Sequence, residues 1–239
     1  MPGLYTTDTE DVHSLLANGV IEVIGRLAGS SNATLLVRLE HEGGHGHAVY
    51  KPLRGERPLW DFPPGLYKRE VAARVLSEIL ELNLVPTTIV REGPFGEGSL
   101  QLFIDADPQE HYFSIYESRP DLHDCLRDFA FFDFIANNTD RKSGHILLDM
   151  EEHLWGIDHG VCFSADFKLR TVIWDFADED IPSRLLDAAA PLVSKVPLGL
   201  AALLDDDEVE ALQQRVKYLL ENPQFPVDHS GRRHPWPLI

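Results

Sequence analysis

The spacing of apolar positions changes near residue 106. Before it, residues 20–27 (VIEVIGRL) and 33–40 (ATLLVRLE) are rich in Val, Ile and Leu and read as strands. A small-residue turn, Ala28-Gly29-Ser30-Ser31-Asn32, joins them. The glycine-marked turn HEGGHG at 41–46 leads into a third strand, HAVYKPL. After the loop GERPLWDFPPG, Val71, Val75 and Ile79 recur every four residues and predict a helix over 66–82. Residues 85–91 and 99–104 read as two more strands, linked by EGPFGEG. Past residue 106 the pattern turns helical, and DLHDCLRDFAFFDFIANN is apolar on several faces, as a buried central helix would be. The polar loop TDRKSGH follows, and then ILLD and HLWGID form a short hairpin around MEEH. TVIWDF and helices near 182–195 and 206–222 come next. The tail NPQFPVDHSGRRHPWPLI reads either as an extended cover anchored by Phe225, Trp236 and Leu238 or as partly disordered.

This order gives an α+β fold in two lobes. A small antiparallel-sheet N-lobe spans 1–105, a mainly helical C-lobe spans 106–239, and the cleft between them is the natural ligand site. A chain of 239 residues, 44% hydrophobic, can bury such a core. No uncharged apolar run approaches the roughly 18 residues of a membrane span. The acidic start MPGLYTTDTEDVHSLL is unlike a secretory signal. Cys125 and Cys162, with no CxxC spacing, read as structural thiols in a reducing cytoplasm. The net charge of −18 argues against nucleic acid and anionic membranes as partners.

Two constellations carry chemistry. Lys51, in an otherwise apolar strand, needs a partner if it is buried. Glu70, 19 residues on and early in the expected helix, can meet it if that helix packs on the sheet. The second set runs Asn137-Asn138-Thr139-Asp140-Arg141-Lys142-Ser143-Gly144-His145 and then Gly156-Ile157-Asp158-His159-Gly160. Phosphoryl transfer needs one carboxylate to orient the attacking hydroxyl and another on the metal that bridges the phosphates. Loops on either side of a hairpin place Asp140 and Asp158 for these two roles. Lys142 is spaced to reach a γ-phosphate.

The motifs VYKP, REVAA, VPTT, NNTDRKSGH and GIDHG resemble the phosphatidylinositol 3-/4-kinase-related superfamily over about residues 20–195, particularly its small bacterial branch. The resemblance implies a protein-kinase-like fold that uses ATP and Mg²⁺ or Mn²⁺. Lys51 would contact the α/β-phosphates and pair with Glu70, Asp140 would be the catalytic-loop carboxylate, and Asp158 the metal aspartate. Residues 28–32 would cover the phosphates, with the hydroxyls of Ser30 and Ser31 as donors. Val49, Leu147 and Ile157 would sandwich adenine, beside a linker at 103–107. The family's D-R-H-x-x-N loop departs here, with Lys142 in place of its histidine and His145 in place of its asparagine. His145 is then either a metal ligand, which favours Mn²⁺ over Mg²⁺, or a donor to phosphate, or a sign of impaired activity.

No Walker A lysine, G-x-S-x-G or G-x-G-x-x-G is present, which removes the P-loop, hydrolase and Rossmann readings. His41, His45 and His47 lie close together at the first glycine turn, where they could chelate a metal, although flexible exposed histidines at a turn more often do nothing. The expected activity is phosphoryl transfer from ATP to a protein Ser/Thr hydroxyl, including the chain's own, or to a small metabolite. Lipid headgroups are disfavoured, because the segment VCFSADFKLR carries only Lys168 and Arg170 as basic residues. A nucleotide-binding pseudokinase or scaffold, and an AMP transferase on the same fold, are the rival readings.

Overall fold

A computed structural model describes residues 10–27 and 32–238. It opens with a helix that the strand-rich pattern did not announce, α1 (Glu10–Asn18). Strands β1 (Val20–Arg26), β2 (Leu35–His41) and β3 (Gly44–Pro52) follow, then helix α2 (Leu66–Ile79) and strands β4 (Thr88–Gly93) and β5 (Gly96–Leu102). The five strands form one sheet in the order β1-β2-β3-β5-β4, antiparallel throughout. Val12, Leu15 and Leu16 of α1 pack with Val37, Leu39, Ala48, Leu100 and Leu102, so α1 covers one face of the sheet. Arg91 anchors α1 by donating to the carbonyls of Leu16 and Gly19 at its C-terminal end.

Both hairpins are tighter than the glycine-rich sequence suggests. The ladder runs to His41↔Gly44, so only Glu42 and Gly43 turn, both with positive φ as a two-residue hairpin favours. His45 and His47 therefore lie on β3 and not in a flexible loop. The second hairpin closes at Gly93↔Gly96, which shifts its strands from the expected 85–91 and 99–104. Glycine persists inside β5 for a steric reason: a Cβ on Gly98 would sit 2.4 Å from the Lys51 carbonyl oxygen.

Helix α2 starts where Glu56, from the preceding loop, accepts the Gly65 and Tyr67 amides at 2.8 and 2.9 Å. The helical lobe contains α3 (Tyr112–Ser118), α4 (His123–Ala136), the hairpin β6 (Ile146–Leu148) and β7 (Leu154–Gly156), the short helices α5 (Ser183–Ala189), α6 (Pro191–Ser194) and α7 (Leu198–Ala201), and α8 (Asp206–Glu221). Phe129, Phe131, Phe132 and Ile135 of α4 are all buried, as a central helix requires. Ala72, Ala73 and Leu76 of α2 join this larger core, so α2 serves both lobes. Arg69 of α2 donates from Nε to the Cys162 carbonyl at 3.1 Å and from its terminal nitrogen to Glu208 of α8. The tail runs extended and buries Phe225, but Trp236 is 88% exposed and anchors nothing. Leu238 is exposed as well, so of the three expected anchors only Phe225 is buried. Among the described residues no helix is long and apolar enough to cross a membrane.

Candidate active site

A cavity of about 390 Å³ opens between the sheet and the helical lobe, within the size range of small-molecule sites. Lys51, Glu70, Asp140, Lys142, His145, Asp158, Val49, Leu147 and Ile157 all line it. Ser30 and Ser31 lie outside the described residues.

Lys51 reaches the cleft from β3 because alternation along that strand turns it away from the buried neighbours Tyr50 and Pro52. Its ammonium donates to Glu70 Oε1 and, at 2.8 Å, to Asp158 Oδ1. Burial opposes the charge on Lys51, but Asp158 and Glu70 outweigh it and hold the amine above its ordinary value. Lys51 in turn leads the interactions that keep Asp158 well below the usual carboxylate range. The second oxygen of Glu70 accepts the His159 amide at 2.9 Å, which ties α2 to the loop after β7. That loop passes very close to the helix. A Cβ on Gly160 would stand 3.2 Å from Glu70 Oε1. Asp158 itself is left-handed, with φ 61°, a conformation that costs a non-glycine residue energy and recurs at functional sites.

Asp140 sits at the end of α4, where Asn137 breaks the helix with φ 50°. Asn138 Oδ1 accepts the Asp140 amide at 3.0 Å, and Lys142 Nζ stands 3.1 Å from Asp140 Oδ2. Burial lifts Asp140 above the normal carboxylate value, with Lys142 pulling the other way. His145 Nδ1 accepts the Lys142 amide at 3.3 Å. A neutral ring with that bond carries its proton on Nε2, which faces Asp158 Oδ2 at 3.5 Å. Burial, aided by Arg141, Lys142 and Lys51, overcomes the pull of Asp158 and lowers His145 to about 4.

The motif reading gave no role to the residues that hold these loops in register. Arg141 is completely buried and pairs with Asp133 of α4 at 2.8 Å. It also donates to His159 Nε2 at 2.8 Å and to the Ile157 and His145 carbonyls at 3.1 and 3.3 Å. Asp133 further accepts bonds from Asn138 and Thr171 at 3.0 and 3.2 Å. One guanidinium thus fastens the Asp140 loop to the Asp158 loop. The signal was present in the sequence: Asp133 stands among Phe131, Phe132 and Phe134, where an acid survives only with a partner.

Among the described residues no group of three or more His, Cys, Asp or Glu is placed to hold a metal ion. Mg²⁺ at phosphoryl-transfer sites is commonly held by one or two carboxylates, with phosphate and water oxygens completing the shell. Asp158, half-exposed and facing the cavity, fits that demand.

A sequence model of the family "Phosphatidylinositol 3- and 4-kinase" matches residues 65–213. Protein Rv2133c of Mycobacterium tuberculosis is 38% identical, with 99% of each chain covered. Among solved structures, hydra Fam20 with sugar matches with a TM-score of 0.55 at 15% identity, covering 93% of this chain and 92% of the other. The proinflammatory kinase CtkA of Helicobacter pylori matches at 0.46 and 14% identity over 88% and 94%, a likeness too low to weigh on the fold. The family match covers α2, the Asp140 loop and the Asp158 loop, and with it the chain belongs to the phosphatidylinositol 3- and 4-kinase family.

Proposed function

We propose that this protein is an ATP-dependent phosphotransferase, acting on a protein Ser/Thr hydroxyl or a small metabolite, with its lobes dividing at residues 105/106. The observation that carries the reading is Lys51 held between Glu70 and Asp158 in the cleft that Asp140 and Lys142 also line. Lys51 would transfer its bond from Asp158 to a phosphate oxygen while keeping Glu70. Asp158, released from the lysine, would hold Mg²⁺ or Mn²⁺, and such an ion supplies charge neutralisation on phosphate oxygens. Asp140 would orient the acceptor hydroxyl, and its raised proton affinity favours taking up the proton that hydroxyl loses. Lys142 stands ready to offset charge beside it. Val49, Leu147 and Ile157 would flank adenine. The Phe103 amide already donates to the His47 carbonyl at 3.1 Å, so bonds to adenine must come from other groups of the linker 103–107. Ser30 and Ser31 would cover the phosphates.

His145 is proposed as an N–H donor toward Asp158 or phosphate. Ligation through Nε2 would move the ring proton to Nδ1, where the Lys142 amide already points. A lipid headgroup is a poor acceptor here, because Lys168 is engaged with Asp61 at 3.5 Å and lies against the rings of Trp60 and Phe62.

Incubation with γ-labelled or α-labelled ATP and a divalent metal tests the reading. Label transferred to an acceptor from γ-ATP alone is the expected result. Transfer from α-ATP would mean AMP transfer, and nucleotide binding with no transfer of either label would mean a scaffold.

A further inference from the structure

The proline-rich tail does not lie at random on the surface. Its first part follows the segment before α5: the Ile181 amide donates to Pro223, the Phe225 amide to Glu179, and the Asp178 amide to Phe225, at 2.9, 2.9 and 3.0 Å. Farther along, the Arg233 carbonyl accepts both the Thr171 amide at 3.1 Å and the Trp174 indole N–H at 3.2 Å. The Arg233 guanidinium lies 4.8 Å from the Phe167 ring centre, and its amide is fixed by Asp228 at 2.9 Å. Pro235 is buried. The Leu238 carbonyl then accepts the amide of Ser143 at 2.8 Å.

Ser143 is the buried residue between Lys142 and His145. The strip that the tail pairs with is itself paired to the catalytic loop. Arg170 donates to Asn138, Arg141 to Arg170, and Val172 to Arg141, at 2.9, 3.0 and 3.1 Å. Three backbone segments are therefore joined side by side by hydrogen bonds: the tail at Arg233, residues 170–172, and residues 138–141. None of the described tail residues lines the cleft, whose described lining ends at Val161. The described tail therefore meets the loop at Ser143, which is not among the residues that line the cleft.

We infer that the C-terminal segment 223–238 is a positioning element of the active site: it straps the loop that carries Asp140, Lys142 and His145 through the Leu238–Ser143 and Arg233–Thr171 bonds. The kinetic consequence rests on the phosphotransferase reading, but the structural one does not. A loop freed on one side keeps its residues but loses their register, and misplacement of about 1 Å can cost 10²-fold in rate.

Two variants test this. The first ends the chain after Pro235, which removes only exposed residues among those described and keeps the buried proline. The second is Ser143→Pro, which deletes the donor itself. The backbone accepts proline there, because Ser143 is the first residue of a 3₁₀ turn and Lys142 before it is extended at φ −87°, ψ 162°. Amide exchange across residues 139–146 should quicken about tenfold in the truncated chain, in keeping with the loss of one backbone hydrogen bond. ATP affinity should stay within about twofold in both variants, while turnover falls at least about tenfold. The double variant should be no worse than either single one, since both remove the same bond. Unchanged exchange in the truncated chain, or effects that simply add, would overturn the strap. If the intact chain transfers no label to any acceptor, the phosphotransferase reading fails, and the exchange measurement still decides the strap.

Discussion

Two cationic centres meet at residues 157–159, and they are built in opposite ways. Arg141 is sealed from solvent, and its guanidinium is held by Asp133, His159 and two carbonyls. Lys51 has two carboxylates and no exclusive partner, and one of them, Asp158, is 52% exposed. A charge buried with a full set of hydrogen bonds cannot exchange partners without unfolding its surroundings. A charge shared with a half-open acid can pass to an incoming anion at little cost. The first centre is scaffold and the second, under the proposed phosphotransferase reading, is machinery, although each joins two elements through an ion pair.

The largest expected effect tests the scaffold. Asp133→Ala leaves a guanidinium buried without its carboxylate, and should lower unfolding free energy by about 3–5 kcal/mol in denaturant titration. A loss below about 1 kcal/mol would mean that Arg141 can rearrange, and the contrast between the centres would collapse. The machinery is tested next. Asp140→Asn should fold normally and bind ATP with near-native affinity, yet turn over about 10²–10⁴ times more slowly. A parallel loss of affinity would move Asp140 from the acceptor side of the cleft to the nucleotide side.

The smallest effect concerns His145, which touches both centres. Its neighbours are Asp158, Arg141, Lys142 and Lys51, and burial lowers it to about 4. The unfolded imidazole titrates near 6.5, so between these values the unfolded chain takes up a proton that the folded chain refuses. This histidine's contribution is therefore steady above about 6.5, and stability is lost as pH falls toward about 4. Stability measured across that window should decline less steeply in His145→Asn. The same substitution should leave the preference between Mg²⁺ and Mn²⁺ in ATP binding unchanged if the imidazole is a donor. A move toward Mg²⁺ would restore the ligand role.

How much of this could be read beforehand depended on how far each feature reached along the chain. Lys51, Glu70, Asp140 and Asp158 stand in short motifs on recognisable elements, and all four line one cleft. The buried Arg141–Asp133 pair was harder, because its meaning lies in what surrounds it. The hint was an acid inside an aromatic run. Helix α1 was missed although Val12, Leu15 and Leu16 keep helical i, i+3, i+4 spacing, because nine residues give little periodicity to read. Strand ends drifted for the opposite reason. Glycines at 44, 46, 96 and 98 looked like loop, but the ladder pairs with all of them. The grip of the tail on Ser143 has no sequence signal, since it is made entirely by backbone atoms.

The close pass of Gly160 over Glu70 has a practical use. Any side chain at 160 must push the carboxylate that Lys51 depends on, from a distance already down to 3.2 Å. Gly160→Ala therefore alters the site while leaving every charge, every acid and the whole outer surface in place. Under the proposed phosphotransferase reading, such a variant would separate effects of turnover from effects of the protein's presence, a distinction that replacing Lys51 or Asp158 would blur by changing the charge of the cleft.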